Sequence, residues 1–351
     1  VTSPATRPTI SRVAQPLISP ETSQRYLAWP ARLVALLVVV LAGLYYQNYR
    51  LSVAELILID VIVGLGLNIF MGLCGQANFG VSAFTALGSF GSGLLEVKAG
   101  LNPFVALIPT LIGGAIVAYL LSFVLLRLRE MSLAIGTIAV ALAVYAFLES
   151  VLPLDWGGGS NGLGVPLMTI NGWYPGPRFF YYYAAAWMVL VYIGYRRLQQ
   201  SRVGRAWRSI RMDEGAAAAA GINSQGYKRL AYVLSNVVAV LAGTLLIQQS
   251  GFTSADSFGI FSNLTILLIV VVGGEGSAPG TVLGAAILVL LTQETSSIST
   301  GPTFIYGAVL FVVIRFLPRG IWYYLSAAAS FLTRKVAGRL RLQAGTEETH
   351  A

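Results

Sequence analysis

The chain has 351 residues, 56% of them hydrophobic and only 11% charged, with a formal net charge of +9. Soluble domains carry charge on about a quarter of their residues, so this composition, with a mean hydropathy of +0.72, excludes an ordinary soluble enzyme. It describes an all-α integral membrane protein, in which the basic excess concerns topology and lipid and implies no nucleic-acid partner.

Residues 1–30 are rich in Pro, Ser and Thr, carry Arg7, Arg12 and Arg25, and lack the apolar core of a cleaved signal peptide. They are expected to form a disordered cytoplasmic tail. A membrane domain is expected over residues 31–326, and a basic cytoplasmic tail over 327–351. A span needs roughly 17–25 mostly apolar residues, and the hydrophobic runs predict about ten, some short or broken. They are Leu33 to Tyr49, Glu55 to Leu73, Val81 to Leu95, Pro103 to Leu126 and Met131 to Leu152, then Phe179 to Tyr195, Leu230 to Gln248, Phe261 to Gly273, Thr281 to Ile298 and Phe304 to Leu317. The runs at Val81 and Phe261 are short enough to be half-helices or re-entrant segments. A glycine-rich polar connection joins the fifth and sixth runs over residues 153–178.

The cationic residues support this layout. With the N-terminus inside, the inner loops collect Arg127, Arg129, the arginines between 196 and 229, Arg319 and Arg334, while the outer loops keep only Arg50, Lys98 and Arg178. That asymmetry is expected of an even number of spans with both termini in the cytoplasm.

Two places inside the apolar runs carry polar groups. Asp60 sits mid-span on the helical line of Ile57, Gly64 and Asn68, and an ionisable residue at that depth is either functional or a hydrogen-bonded packing residue. Asn68 is followed by a glycine-rich break, Gly72 to Gly80, containing Gly75, Gln76, Asn78 and Gly80. Glycines and amides that interrupt a hydrophobic run suit either a broken helix beside a polar path or a plain tight turn.

The longest polar stretch runs from residue 196 to 229. Its first half holds Gly204, Arg205, Arg208 and Arg211, and its second half runs Asp213, Glu214, Gly215, then five alanines from Ala216 and Ala217 onward, then Gly221. Acids favour a helix N-terminus, alanine favours the interior and glycine the end. The second half therefore predicts a short, smooth-faced helix fit for docking, against the plainer reading of a solvated basic loop.

Other chemistry finds no support. None of the three lysines follows a glycine, so there is no Walker-type phosphate loop, and there is no HExxH metal motif. The run Gly157 to Gly162 matches GxGxxG and GxSxG only in letters, without the strand–turn–helix setting or a histidine outside the tail. Cys74 is the only cysteine, which rules out an intrachain disulfide.

The stretches LGLNIFMGLCGQANFGVSAFTALGSF, LLRLREMSLAIGTIA, GGGSNGLGVP, the 196–229 loop, VVVGGEGSAPGTVLGAA and FLPRGIW occur in this order between Leu51 and Trp322. In that order they resemble the branched-chain amino acid ABC importer permeases of the LivM type, with their urea and amide relatives. The resemblance, carried in this loop by Gly204, Arg205, Ile210, Arg211, Glu214, Ala216, Ala217, Gly221, Ile222, Asn223 and Lys228, implies that the 196–229 loop is the coupling element that docks on an ATPase. With Arg208 and Asp213 from the loop itself, the expected coupling residues are Gly204, Arg205, Arg208, Arg211, Asp213, Glu214, Ala216, Ala217 and Gly221. It also implies a homologous permease partner, two cytoplasmic ABC ATPases holding ATP and Mg, an extracytoplasmic binding protein, and residence in a bacterial inner membrane. No cofactor is implied in this chain itself.

The chain departs from the family pattern at Ala218 (usually Glu), Asn78 (usually Ser), Val81 (often His), Glu130 and Ser132 (usually Gly and Tyr) and Ala255 (usually Pro). The expected function is permeation of a small polar solute, a branched-chain or other amino acid first, along a path near Asp60, Asn68, Gly75, Gln76, Asn78 and Gly80. Urea, short amides or small carboxylates carried by the same kind of system, and a proton-coupled secondary transporter using Asp60, stand as alternatives.

Overall fold

The computed structural model describes residues 49–165, 176–295, 315 and 320–326. The first expected span apart from Tyr49, the last apart from Arg315, both tails and part of the 153–178 connection lie outside them.

Ten α-helices are found among the described residues: α1 Tyr49–Asn68, α2 Val81–Lys98, α3 Pro103–Leu125, α4 Glu130–Ala146, α5 Pro177–Gln200, α6 Arg202–Met212, α7 Glu214–Ala219, α8 Ser224–Ser250, α9 Ile260–Gly273 and α10 Ala278–Thr295. α1 and α4 each run on through a π-helical turn, Ile69–Leu73 and Phe147–Val151. Counting these extensions, and the 3-10 turn before α9, five segments among the described residues are long and apolar enough to cross a membrane: those of α1, α3, α4, α8 and α9. The expected short run at Val81 forms a full 18-residue helix, whereas α9 has only 14 residues.

α8 is the hub, packed against α1, α2 and α3. Lipid gives helices little hydrophobic reason to associate, so close packing must supply it. At the α2–α8 crossing a Cβ on Gly88 would lie 2.0 Å from the carbonyl oxygen of Val240, and one on Gly243 would lie 1.9 Å from that of Thr85. Only glycine permits this approach. Tyr232 on α8 adds edge-on contacts to Phe70 and Phe84, with ring centroids 5.4 and 6.0 Å away.

The two ends of the bundle differ. At one end Leu163–Gly164 pairs antiparallel with Phe252–Thr253, over an apolar cluster that includes Phe90, Leu148, Ile247 and Phe258. The other end carries α6 and α7. Here the polar stretch forms two helices, where the sequence reading expected one. The missed helix α6 buries Ala206, Trp207 and Ile210, a helical spacing already present among its arginines.

Candidate functional site

The α6–α7 hairpin is built from local caps. Ser201 Oγ accepts from Gly204 N at 3.2 Å and starts α6. Asp213 Oδ1 accepts from Ala216 N at 2.9 Å and starts α7. Gly221, at φ +82°, ends it, and a Cβ there would meet nothing within 4 Å. Backbone conformation, and not space, selects glycine at that position.

Two contacts fasten the hairpin to α8. Trp207, fully buried, donates from Nε1 to the Tyr227 carbonyl at 2.8 Å. Lys228 Nζ meets Glu214 Oε2 at 2.6 Å, with the lysine side chain 8% and the glutamate 45% exposed. A buried ammonium needs such a partner, because removing it would leave an uncompensated charge.

The remaining surface divides into two faces. Gly204 and Ala217 are buried within the chain, while Arg205, Arg208, Asp213, Ala216 and Ala218 to Ala220 are exposed. Met212, between the two helices, is 88% exposed, an apolar side chain that the sequence reading passed over.

Arg211 reaches from the hairpin into the bundle. Its Nη1 donates to the Gly72 carbonyl and its Nη2 to Glu275 Oε2 at 2.8 Å. Gly75, at φ +76°, lies against it, where a Cβ would come within 2.5 Å of Arg211 Cγ. The loop holding Glu275 is in turn bound to the end of α1. Asn68 Oδ1 accepts from Gly276 N at 2.7 Å, and Asn68 Nδ2 donates to Thr281 Oγ1 at 2.8 Å. Gln199 Nε2 on α5 donates to the Gly276 carbonyl at 3.0 Å. One guanidinium thus joins the hairpin to two glycine-rich breaks, 72–80 and 273–280. Glu275, the lone acid of the second break, escaped the sequence reading because its partner lies 64 residues away.

From Gly75 the first break climbs into the bundle. Asn78 Nδ2 donates to Asn236 Oδ1 on α8 at 3.3 Å, and Asn78 Oδ1 accepts from Gly80 N at 3.0 Å. Phe79 N donates to Thr137 Oγ1 at 3.0 Å and Ser82 N to Asn263 Oδ1 at 2.8 Å. Asn263 lies ten residues before Gly273, so α2 begins about 15 Å inside that end of α9. The N–H groups of Phe79, Gly80 and Ser82, at the entry to α2, are thus engaged by side chains. Gln76 is buried, with its backbone N–H on the Phe70 carbonyl at 3.1 Å. Asp60 is half-buried on the α1 line that continues through Gly64, packed on Ile269 and Thr281, to Asn68.

Cys74, beside the junction, is a buried free thiol, and burial pushes its pKa up to about 12. Two further acids lie buried in the bundle, Glu55 on α1 and Glu96 on α2. Glu96 accepts from Ser92 Oγ at 2.7 Å.

The sequence profile described as "Branched-chain amino acid transport system / permease component" matches residues 49–317. The chain is 30% identical to the high-affinity branched-chain amino acid transport permease LivM of Escherichia coli K12, over 82% of this chain and 74% of that protein. It is 32% identical to LivH of the same organism over 35% of this chain and 41% of LivH. It is also 24% identical to the fructose import permease FrcC of Rhizobium meliloti over 79% of each. An all-helical bundle with several membrane-crossing helices agrees with these likenesses, and makes the chain a transport subunit. The protein is a member of the branched-chain amino acid transport permease family.

Proposed function

We propose that the chain forms half of the solute path of a bacterial ABC importer, beside a homologous permease, and that it carries a small amino acid, a branched-chain one first. The substrate class rests on the name and extent of the LivM match, and the homologous partner on the LivH likeness. Two cytoplasmic ATPases would hydrolyse ATP and an extracytoplasmic binding protein would deliver solute. The membrane domain over 31–326 would sit in the inner membrane with both tails in the cytoplasm, which places the α6–α7 hairpin on the ATPase side.

The observation that carries the coupling reading is the Arg211 junction. ATPase closure would press on the exposed face of Arg205, Arg208, Met212, Asp213 and the alanines. Trp207 and the Lys228–Glu214 pair make the hairpin follow as one piece, with Gly204, Ala217 and Gly221 preserving its shape. Arg211 then passes the displacement to both glycine breaks. The breaks flank the solute path, with Gly75, Gln76, Asn78 and Gly80 on one wall and the Asp60–Asn68 line beside them. A half-exposed ion pair and single carbonyl bonds can exchange with water at little cost, so this junction can open and close within a turnover.

The test is leucine uptake into proteoliposomes holding the permease pair, ATPases and binding protein. Uptake should require ATP, and Arg211→Gln should abolish it while the complex still co-purifies. ATP-independent uptake, or normal transport by the variant, would overturn the reading.

A further inference from the structure

Arg229, at the start of α8's apolar run, lies over the ring of Phe123 on α3, with the guanidinium carbon 4.0 Å from the ring centroid and 6.0 Å from that of Tyr119. Tyr119 and Phe123 themselves meet edge-on at 4.9 Å. Arg229 Nε is buried there with no acceptor among the described residues. No ion pair involving Arg229 occurs among the described residues, whereas its neighbour Lys228 is matched to Glu214. Tyr119 is 48% and Phe123 36% exposed, so the stack lies on the outer surface of the bundle.

Arginine stays charged at any physiological pH. Here ring contact has stripped one face of the cation of water, and no acid among the described residues supplies a counter-charge. The flanking chemistry points to what does. α3 ends at Leu125, and exposed Arg127 and Arg129 follow within four residues. Aromatic rings beside basic side chains at the end of a spanning helix mark the headgroup layer, where anionic lipids attract cations. We propose that Arg229, stacked on Phe123, binds the phosphate of one anionic phospholipid, with Arg127 as a second contact four residues beyond Phe123. The terminal guanidinium nitrogens face the phosphate oxygens, while Tyr119 and Phe123 lie against the upper acyl chains. This site does not depend on which solute is carried.

The test is native mass spectrometry of the detergent-purified full chain, titrated with phosphatidylglycerol and with phosphatidylcholine of the same acyl chains. One phosphatidylglycerol should bind in preference, and Arg229→Gln should weaken that event about fivefold, the weight of one basic residue at an anionic surface. Arg229→Lys, which keeps charge but loses the planar stack, should fall between, and Phe123→Leu should weaken binding with the arginine intact. Melting temperatures in phosphatidylcholine nanodiscs should match wild type, which separates the site from a folding defect. Equal affinity for the two lipids, or an undiminished preference in Arg229→Gln, would overturn the proposal. Displacement of the lipid by millimolar inorganic phosphate would overturn the assignment to a lipid.

Discussion

The α2–α8 crossing and the Arg211 junction both hold helices together across long sequence distances, by opposite means. At the crossing, backbone meets backbone through Gly88 and Gly243, dry and without slack. At the junction, a long side chain spans the gap, its ion pair with Glu275 about 38% and 37% exposed. Packed backbone cannot be separated without losing many contacts together, whereas a half-wet ion pair can be exchanged for water at small net cost. The crossing is thus suited to stay fixed while the junction opens and closes, the division that the proposed coupling requires.

Disrupting the crossing should have the largest effect. Gly243→Val would force its branched side chain onto the Thr85 carbonyl, and α2 would have to move away from α8. The loss should be about 3 kcal/mol, the upper end of what core overpacking usually costs. Thermal unfolding in detergent should show a fall of many degrees or failure to accumulate folded protein. A near-wild-type melting temperature would mean that the two helices do not cross where they are placed here.

Asn78 lies between the two regimes, buried like the crossing but polar like the junction. Its amide bonds to Asn236 and to Gly80 N. Asn78→Leu should strand both partners at a cost of about 1–3 kcal/mol. Asn78→Ser can still cap Gly80 and should lose less. Uptake competition among leucine, isoleucine, valine and alanine should keep its order in both variants. A reordered ranking with unchanged stability would make Asn78 a solute contact.

The junction should show the reverse balance. Glu275→Gln removes a surface-type ion pair and should cost under about 1 kcal/mol of stability. ATP-driven uptake should nevertheless fall severely, with ATP hydrolysis persisting and no longer stimulated by loaded binding protein. Joint loss of stability and transport would reduce the junction to a structural tie.

How much of this was legible in the sequence depended on the range of the contacts involved. The acids Asp213 and Glu214 at the helix start, the alanine helix and Gly221 as its end are local features that the sequence carries, whereas the cap that Asp213 makes on Ala216 N shows only in the fold. Helix α6 is also encoded locally, in the spacing of Ala206, Trp207 and Ile210, but four arginines in the same stretch mask that apolar line. The Arg211–Gly72 bond, spanning 139 residues, leaves no trace in local periodicity. Nor does the engagement of the N–H groups of Phe79 and Ser82, at the entry to α2, by Thr137 and Asn263. A glycine break marks where a chain can be open, and only the packed structure says which side chains close it.

Cys74 provides the smallest and most discriminating effect, because it sits where the two regimes meet. It is fully buried, and burial pushes its pKa up to about 12, so little of it is thiolate at pH 7. The wild-type chain should therefore resist maleimide until denatured, and single cysteines can be read against it without removing Cys74. Asp155→Cys and Gln225→Cys, both exposed positions, should then label from opposite sides of intact cells, with Asp155→Cys accessible from outside. Labelling of both from one side would break the proposed topology. In the full complex, Cys74 should gain reactivity only during ATP turnover, since it lies directly between Leu73 and Gly75 at the Arg211 contact. Constant protection under turnover would mean that the first break stays closed, and that the solute passes elsewhere.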